Sequence, residues 1–380
     1  MNCIIENTSI AADDWDLLQA VGLDLDWSAA IAHPLTRYGF SGARIYLLEP
    51  KRGHGGIPQI VKISTASDID EEIAGMRIAR SHVRRFSAFS EYAHPLAAIK
   101  AISIPMFSTR RERRNAPPRV MDAADVYDQT LSDGPRSSEG LERMLKEALD
   151  LLDHAHVLLS DRPAVTYLSF CERYLRQQHR SRVDDLCEVG DFEIQGYRVT
   201  GNPKSVLGDL LEQRSTGFTC ALIHGDLHLS NIVADGDITS PTLIDYAWAK
   251  RSSHVLIDHV MLESSLRIMR FPRSVNPRLT LAVDRALISD FSGDEAHRMV
   301  GALPERSITR QRLEVMIGAV RTVRKRARML AKDNQISDLQ LEGEYFKLMY
   351  IILCGQEKFD DYPLMRTVIN LDLLQRRFSI

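Results

Sequence analysis

Ile223-His224-Gly225-Asp226-Leu227-His228-Leu229-Ser230-Asn231-Ile232-Val233, followed at a distance by Leu243-Ile244-Asp245-Tyr246-Ala247, is the stretch that decides the fold. An apolar strand enters a polar loop, a second short strand follows, Asp235-Gly236-Asp237 turns the chain, and a third apolar strand ends on an acid. The loop sets Asp226 five residues before Asn231, and the third strand delivers Asp245 fourteen residues after Asn231. Strands that end in oxygen-bearing side chains can gather those oxygens at one sheet edge. Phosphoryl transfer asks for that set: one carboxylate to receive an acceptor proton, plus an amide and a second carboxylate to hold Mg²⁺ on nucleotide phosphates.

The spacing His-x-Asp-x-x-x-x-Asn with a downstream aspartate resembles the catalytic loop and metal site of the protein-kinase-like superfamily. Its details are more similar to the aminoglycoside phosphotransferase and choline kinase branch. His228 stands where protein kinases usually carry Lys, and Tyr246-Ala247 follows Asp245 in place of Phe-Gly. The resemblance implies an α+β, bilobal, protein-kinase-like fold with a small β-rich N-terminal lobe and a larger, mostly helical C-terminal lobe. It implies Asp226, Asn231 and Asp245 as catalytic residues, with Asn231 and Asp245 as Mg²⁺ ligands. The co-substrate is ATP or GTP, and the acceptor is a hydroxyl-bearing small molecule. His224 is expected to brace the loop. His228 is expected either to touch acceptor or phosphate or to pack the loop.

Upstream, 35–38 and 43–48 read as strands around the turn Gly39-Phe40-Ser41-Gly42, and 59–63 is a strand with Lys62 embedded in it. Taken singly, a two-glycine turn is a hairpin and a strand lysine is an edge residue. Their order before the catalytic loop gives them another role. Gly39, Ser41 and Gly42 let backbone N–H groups approach phosphates, and Lys62 neutralises them. A helix over 68–79 carries Ile69, Ile73, Met76 and Ala79 on one stripe. Glu72 is the expected partner of Lys62, with Glu71 as the alternative. An outer strand over 3–5, short helices over 13–20 and 27–31, and further strands with the hinge over 95–107 complete this part. The arginine-rich 108–119 reads as a linker.

Downstream, 122–137 is polar with a Gly134-Pro135 break, and helices are expected over 139–159, 165–178 and 203–213. By the resemblance, Asp258 accepts hydrogen bonds from the catalytic-loop backbone. Lys62, the 224–231 loop, Ile244-Asp245 and His254-x-x-x-Asp258-x-x-x-Leu262-Glu263 are together also similar to bacterial ternary-complex-associated domains. Helices over 311–332, 342–353 and 363–374 follow, and Arg321, Arg324, Lys325, Arg326 and Arg328 read as a solvated cationic helix end. The expected lobes are 1–108, with an extension over 1–33, and 109–380.

At 380 residues the chain is long enough for two lobes with real cores, and its net charge of −3 provides no pull toward nucleic acid or a membrane surface. Five scattered cysteines without a CxxC pair suggest neither zinc nor disulfides, which fits a cytoplasmic protein. There is no secretory leader pattern and no apolar run long enough to span a bilayer. Asp184, Asp185, Glu188, Asp191 and Glu193 are candidates for an acidic acceptor cleft, although such a cluster is usually a solvated loop. Two other functions share these residues: a nucleotide-binding regulatory pseudokinase, and an enzyme that modifies a protein partner by phosphorylation or AMP transfer.

Overall fold

The first six strands, β1 (Ile4–Glu6), β2 (Ala29–Leu35), β3 (Arg44–Pro50), β4 (Gln59–Thr65), β5 (Ser90–Ala93) and β6 (Ile99–Pro105), form one sheet in the order β1-β2-β3-β4-β6-β5. β1 is parallel to β2, and the other pairs are antiparallel. The computed structural model describes all residues except 1–2, 7–9, 36–41, 52–55, 87, 107–119, 136–137, 162–163, 176–191, 195, 201–202, 236–239, 273–274, 357–362 and 379–380.

Both faces of the sheet are covered, so β4 is buried almost throughout, including its polar Gln59 and Ser64. Val61 and Ile63 pack with Leu17 and Leu18 of α1 (Ala12–Asp24). Ile60 packs on the other side with Ile69, Ile73 and Met76 of α2 (Ala66–Ala79). The two-residue period puts Lys62 on the Ile60 side, toward α2. Thr65 caps α2 by accepting from the Asp68 N–H at 3.3 Å. Ile69, Glu72, Ile73 and Met76 share the buried stripe, while Glu71 lies on the exposed side.

The remainder is mostly helical. β7 (Val120–Asp122) leads into α3 (Ala123–Asp133) and α4 (Ser138–Asp150). Two ribbons, β8 (Val165–Thr166) with β11 (Arg214–Ser215) and β9 (Phe192–Ile194) with β10 (Tyr197–Val199), accompany α5 (Tyr167–Leu175) and α6 (Pro203–Glu212). β12 (Thr219–Ile223), β13 (Ile232–Asp235), β14 (Thr242–Leu243) and β15 (Lys250–His254) carry the site. The buried α7 (Leu256–Ser264) continues as a π-helical turn, Ser265–Met269. After it come α8 (Pro277–Ser289), α9 (Asp294–Gly301), α10 (Ile308–Asp333), α11 (Asp338–Gln356) and α12 (Leu364–Phe378); α10 and α11 pack on α7. This is a kinase-like, two-lobed α+β architecture. One apolar core joins Ile60, Ile73 and Met76 to Leu145, Leu229, Tyr246 and Val320, so the sheet lobe and helical lobe share an interior. The expected lobe boundary near 108 lies outside the described residues. Among the described residues, no helix is long and apolar enough to cross a membrane.

Four local expectations need correction. The 27–31 segment is not helical: Ala29–Leu35 is strand β2, because pairing with both β1 and β3 outweighs the helix preference of its alanines. The polar 122–137 segment contains α3, capped by Asp122, which accepts from the Asp125 N–H at 2.7 Å. Its buried face, Ala123, Ala124, Val126, Tyr127 and Thr130, follows the helical period but is weakly apolar among polar neighbours. The helix expected to reach residue 159 stops at Asp150, and the Leu151 carbonyl instead accepts from the Arg84 N–H at 2.8 Å. Arg324 is not part of a solvated face. It is buried, forms paired bonds to Glu263 at 2.7 and 2.8 Å, and donates to the Leu287 carbonyl at 2.8 Å.

Candidate active site

β12 and β15 pair antiparallel and set the 224–231 loop between them. Gly225 is in the left-handed region at φ +87°, and a Cβ there would sit 2.2 Å from the Trp248 carbonyl oxygen, so both conformation and space require glycine. The His224 and Gly225 N–H groups donate to the two carboxylate oxygens of Asp258 at 2.9 and 2.8 Å. His156 Nε2 bonds the same carboxylate at 2.9 Å. Burial opposes charge on Asp258, yet these donors hold its pKa below the ordinary value. Further along, Leu229 N–H donates to Ser265 Oγ at 3.3 Å. α7 and its π-turn therefore grip the loop at both ends, and the role expected of Asp258 is present.

His224 joins the loop to the third strand. Burial pushes its pKa down, so the ring is neutral. The bonding assigns its tautomer: Nε2–H donates to the Ile244 carbonyl at 2.9 Å, and Nδ1 accepts from the Asp226 N–H at 3.4 Å. This is the brace expected of it. His228 caps the turn at Leu229–Asn231, its Nδ1 accepting from the Ser230 N–H at 3.2 Å, while its Nε2 lies 3.8 Å from Asp226.

Asn231 Nδ2 donates to the Asp226 carbonyl at 2.8 Å, which leaves Oδ1 as the amide atom suited to a cation. Asp245 adopts the left-handed conformation, φ 63° and ψ 67°, uncommon for a residue other than glycine. Its carboxylate lies 2.8 Å from Lys62 Nζ, which lies 2.7 Å from Glu72 Oε2. The Glu72 contact is an ion pair without the alignment of a good hydrogen bond. Two carboxylates thus share one ammonium. Burial opposes the charge on Lys62, but Asp245 and Glu72 together push its pKa up. Burial and Asp245 push Glu72 up to about 7, while Lys62 holds Asp245 down against burial. Asp226 is raised by burial, which His228 partly offsets.

α2 can approach this closely because Gly75 faces the strap after Asp245. A Cβ on Gly75 would stand 1.8 Å from the Tyr246 carbonyl oxygen. Glu71 points away from Lys62 and meets Arg173 Nη2 at 2.7 Å. Of the other sequence candidates, Gly39 and Ser41 lie outside the described residues, and Gly42 is left-handed at φ +69°. Asp184, Asp185, Glu188 and Asp191 also lie outside them, and Glu193 is exposed. Sequence reading missed His156, Ser265, Gly75, Arg173 and Tyr174. Gly75 alone left a signal, a glycine inside an otherwise regular helix.

Residues 107–346, more than half of the chain, match the family model for ternary complex associated domain 9. The chain belongs to that family. No curated protein matches this domain in sequence. Solved structures similar to it include the aminoglycoside phosphotransferase APH(3'')-Id from Streptomyces rimosus, at 16% identity, covering 80% of this chain and 97% of that one with a TM-score of 0.36. A glucosamine kinase is similar at 16% identity, covering 96% of this chain and 83% of that one with a TM-score of 0.39. These scores are low, so the functional reading of the domain stands on its own residues.

Proposed function

We propose that this ternary-complex-associated domain is a phosphotransferase that moves the γ-phosphoryl group of ATP or GTP to a hydroxyl of a small molecule. The observation that carries the reading is Lys62 held between Glu72 and Asp245, beside a loop that presents Asp226 and Asn231. An ammonium fixed by two carboxylates is poised to meet nucleotide phosphates. The residues before 108 would cover the nucleotide, with Gly39, Ser41 and Gly42 over its phosphates, and 109–380 would supply catalytic loop and acceptor pocket.

Asp245 and Asn231 offer a carboxylate and an amide oxygen, hard donors that suit Mg²⁺. When bound there, the ion would neutralise charge on the phosphates. Asp226 would orient the acceptor hydroxyl and take its proton as the hydroxyl oxygen bonds to the γ-phosphorus and the bond to the β-phosphate oxygen breaks. Its raised pKa makes it a stronger proton acceptor than an ordinary aspartate. Cys3, Cys171, Cys220 and Cys354 form no disulfide, which is compatible with a reducing cytoplasm.

The test uses γ-labelled ATP and GTP with Mg²⁺ and a panel of amino sugars, sugars and amino alcohols. Label should move to an acceptor with the wild type, and transfer should fall by at least about a hundredfold in Asp226→Ala. Nucleotide binding without transfer to any acceptor would favour a regulatory role. Label reaching protein from α-labelled ATP would replace the reading with AMP transfer.

A further inference from the structure

Two adjacent residues of α5 reach opposite halves of the site. The Tyr174 hydroxyl donates to the Gly225 carbonyl in the catalytic loop, and its ring meets Trp248 edge-on with centroids 5.1 Å apart. Arg173 turns the other way. Its Nη1 donates to the Ala247 carbonyl at 2.8 Å, its Nη2 pairs with Glu71 at 2.7 Å, and its guanidinium lies 5.0 Å from the Trp248 ring centre. Ala247 is two residues past Asp245, and Glu71 adjoins Glu72. One guanidinium therefore connects the segment that carries Asp245 to the helix that carries Glu72, and those are the two carboxylates flanking Lys62.

An exposed ion pair by itself contributes little, because two long side chains must be immobilised and salt screens them. Arg173 differs in being fixed already. Stacking on Trp248 and the bond to a main-chain carbonyl orient its planar fork before Glu71 arrives. Glu71 sits on the exposed side of α2, where it has no part in the apolar stripe. Its position is spent on reaching the helical lobe.

We propose that Arg173 and Glu71 form a clamp that docks α2 against the catalytic segment, making Arg173 a positioning residue for Lys62. The nucleotide consequence rests on the phosphotransferase reading; the docking itself does not. With the clamp open, α2 swings outward on its N-terminal side and takes Glu72 with it. Lys62 is then left paired to Asp245, pulled toward the metal position and away from the phosphates.

Amide hydrogen exchange across 66–79 reads docking without any nucleotide, with α4 as an internal control. Arg173→Gln should speed exchange there about fivefold to tenfold, and Glu71→Gln by a similar factor. The double variant should exceed neither, and Arg173→Lys should restore part of the protection. Mg·ATP affinity, measured by calorimetry, should weaken by a similar factor, while the thermal midpoint without nucleotide should fall by no more than about 2 °C. Unchanged exchange in all variants, or effects that add in the double variant, would overturn the clamp. If exchange follows the expected pattern but the wild type binds no Mg·ATP, the clamp stands and the phosphotransferase reading fails.

Discussion

Replacing Asp258 with alanine removes the acceptor of three hydrogen bonds at once. The carboxylate is fully buried on α7 and receives the His224 and Gly225 N–H groups at 2.9 and 2.8 Å and His156 at 2.9 Å. Alanine strands these donors in a dry interior. At about 1–3 kcal/mol for each buried donor left without a partner, the loss would be roughly 3–9 kcal/mol. The upper part of that range is excessive, because His156 borders a cavity of about 350 Å³ through which water can serve its ring. The expected destabilisation is therefore about 3–5 kcal/mol, most of it from the two loop amides. Urea unfolding at neutral pH measures it. The pH dependence provides a second reading. Donors hold the Asp258 pKa below its ordinary 3.8 despite burial. A depressed carboxylate contributes stability that is present above its unfolded value and lost as pH falls through its folded value. The stability of the wild type and of Asp258→Asn should therefore converge as pH drops below about 4. A cost under about 1 kcal/mol for Asp258→Ala, or a gap between wild type and Asp258→Asn that persists in acid, would refute the reasoning.

Gly75→Ala should destabilise the protein and weaken nucleotide binding, measured by urea unfolding and calorimetry. The usual gain of about 1 kcal/mol for alanine in a helix is reversed here, because the new Cβ would stand 1.8 Å from a carbonyl oxygen. Arg324→Ala should cost about 3–5 kcal/mol in the same unfolding assay, since it leaves Glu263 buried without its strongest cation. If Asp226 is the proton acceptor, kcat/KM should fall as pH drops through a value above the ordinary 3.8. His228→Gln should move that acid limb upward, because His228 is the strongest of the neighbouring groups, with His224 and Lys62, that hold Asp226 down against burial. A pH–rate profile of the two proteins checks the direction.

Much of the site is legible in the sequence. The alternation in β4 puts Lys62 and Ile60 on one face, and the stripe of Ile69, Ile73 and Met76 places Glu72 rather than Glu71 on the buried side of α2. The short spacing from Asp226 to Asn231 makes their meeting in one loop a local matter, as the bond from the Asn231 amide to the Asp226 carbonyl illustrates. Where reading failed, competing local signals were close. Alanines in β2 favour a helix in isolation, and α3 buries a face on the helical period that is only weakly apolar.

Local order along the chain thus determined which face each of these side chains would take, because strand and helix periods depend only on near neighbours. Partners across long separations were decided by packing alone. Arg173 meets a carboxylate 102 residues away, His156 meets Asp258 at the same separation, and Arg324 sinks into the interior to meet Glu263 at a separation of 61. No local pattern distinguishes these arginines from their solvated neighbours. Their burial depends on which surfaces α5, α7 and α10 present to one another, and that is a property of the assembled core.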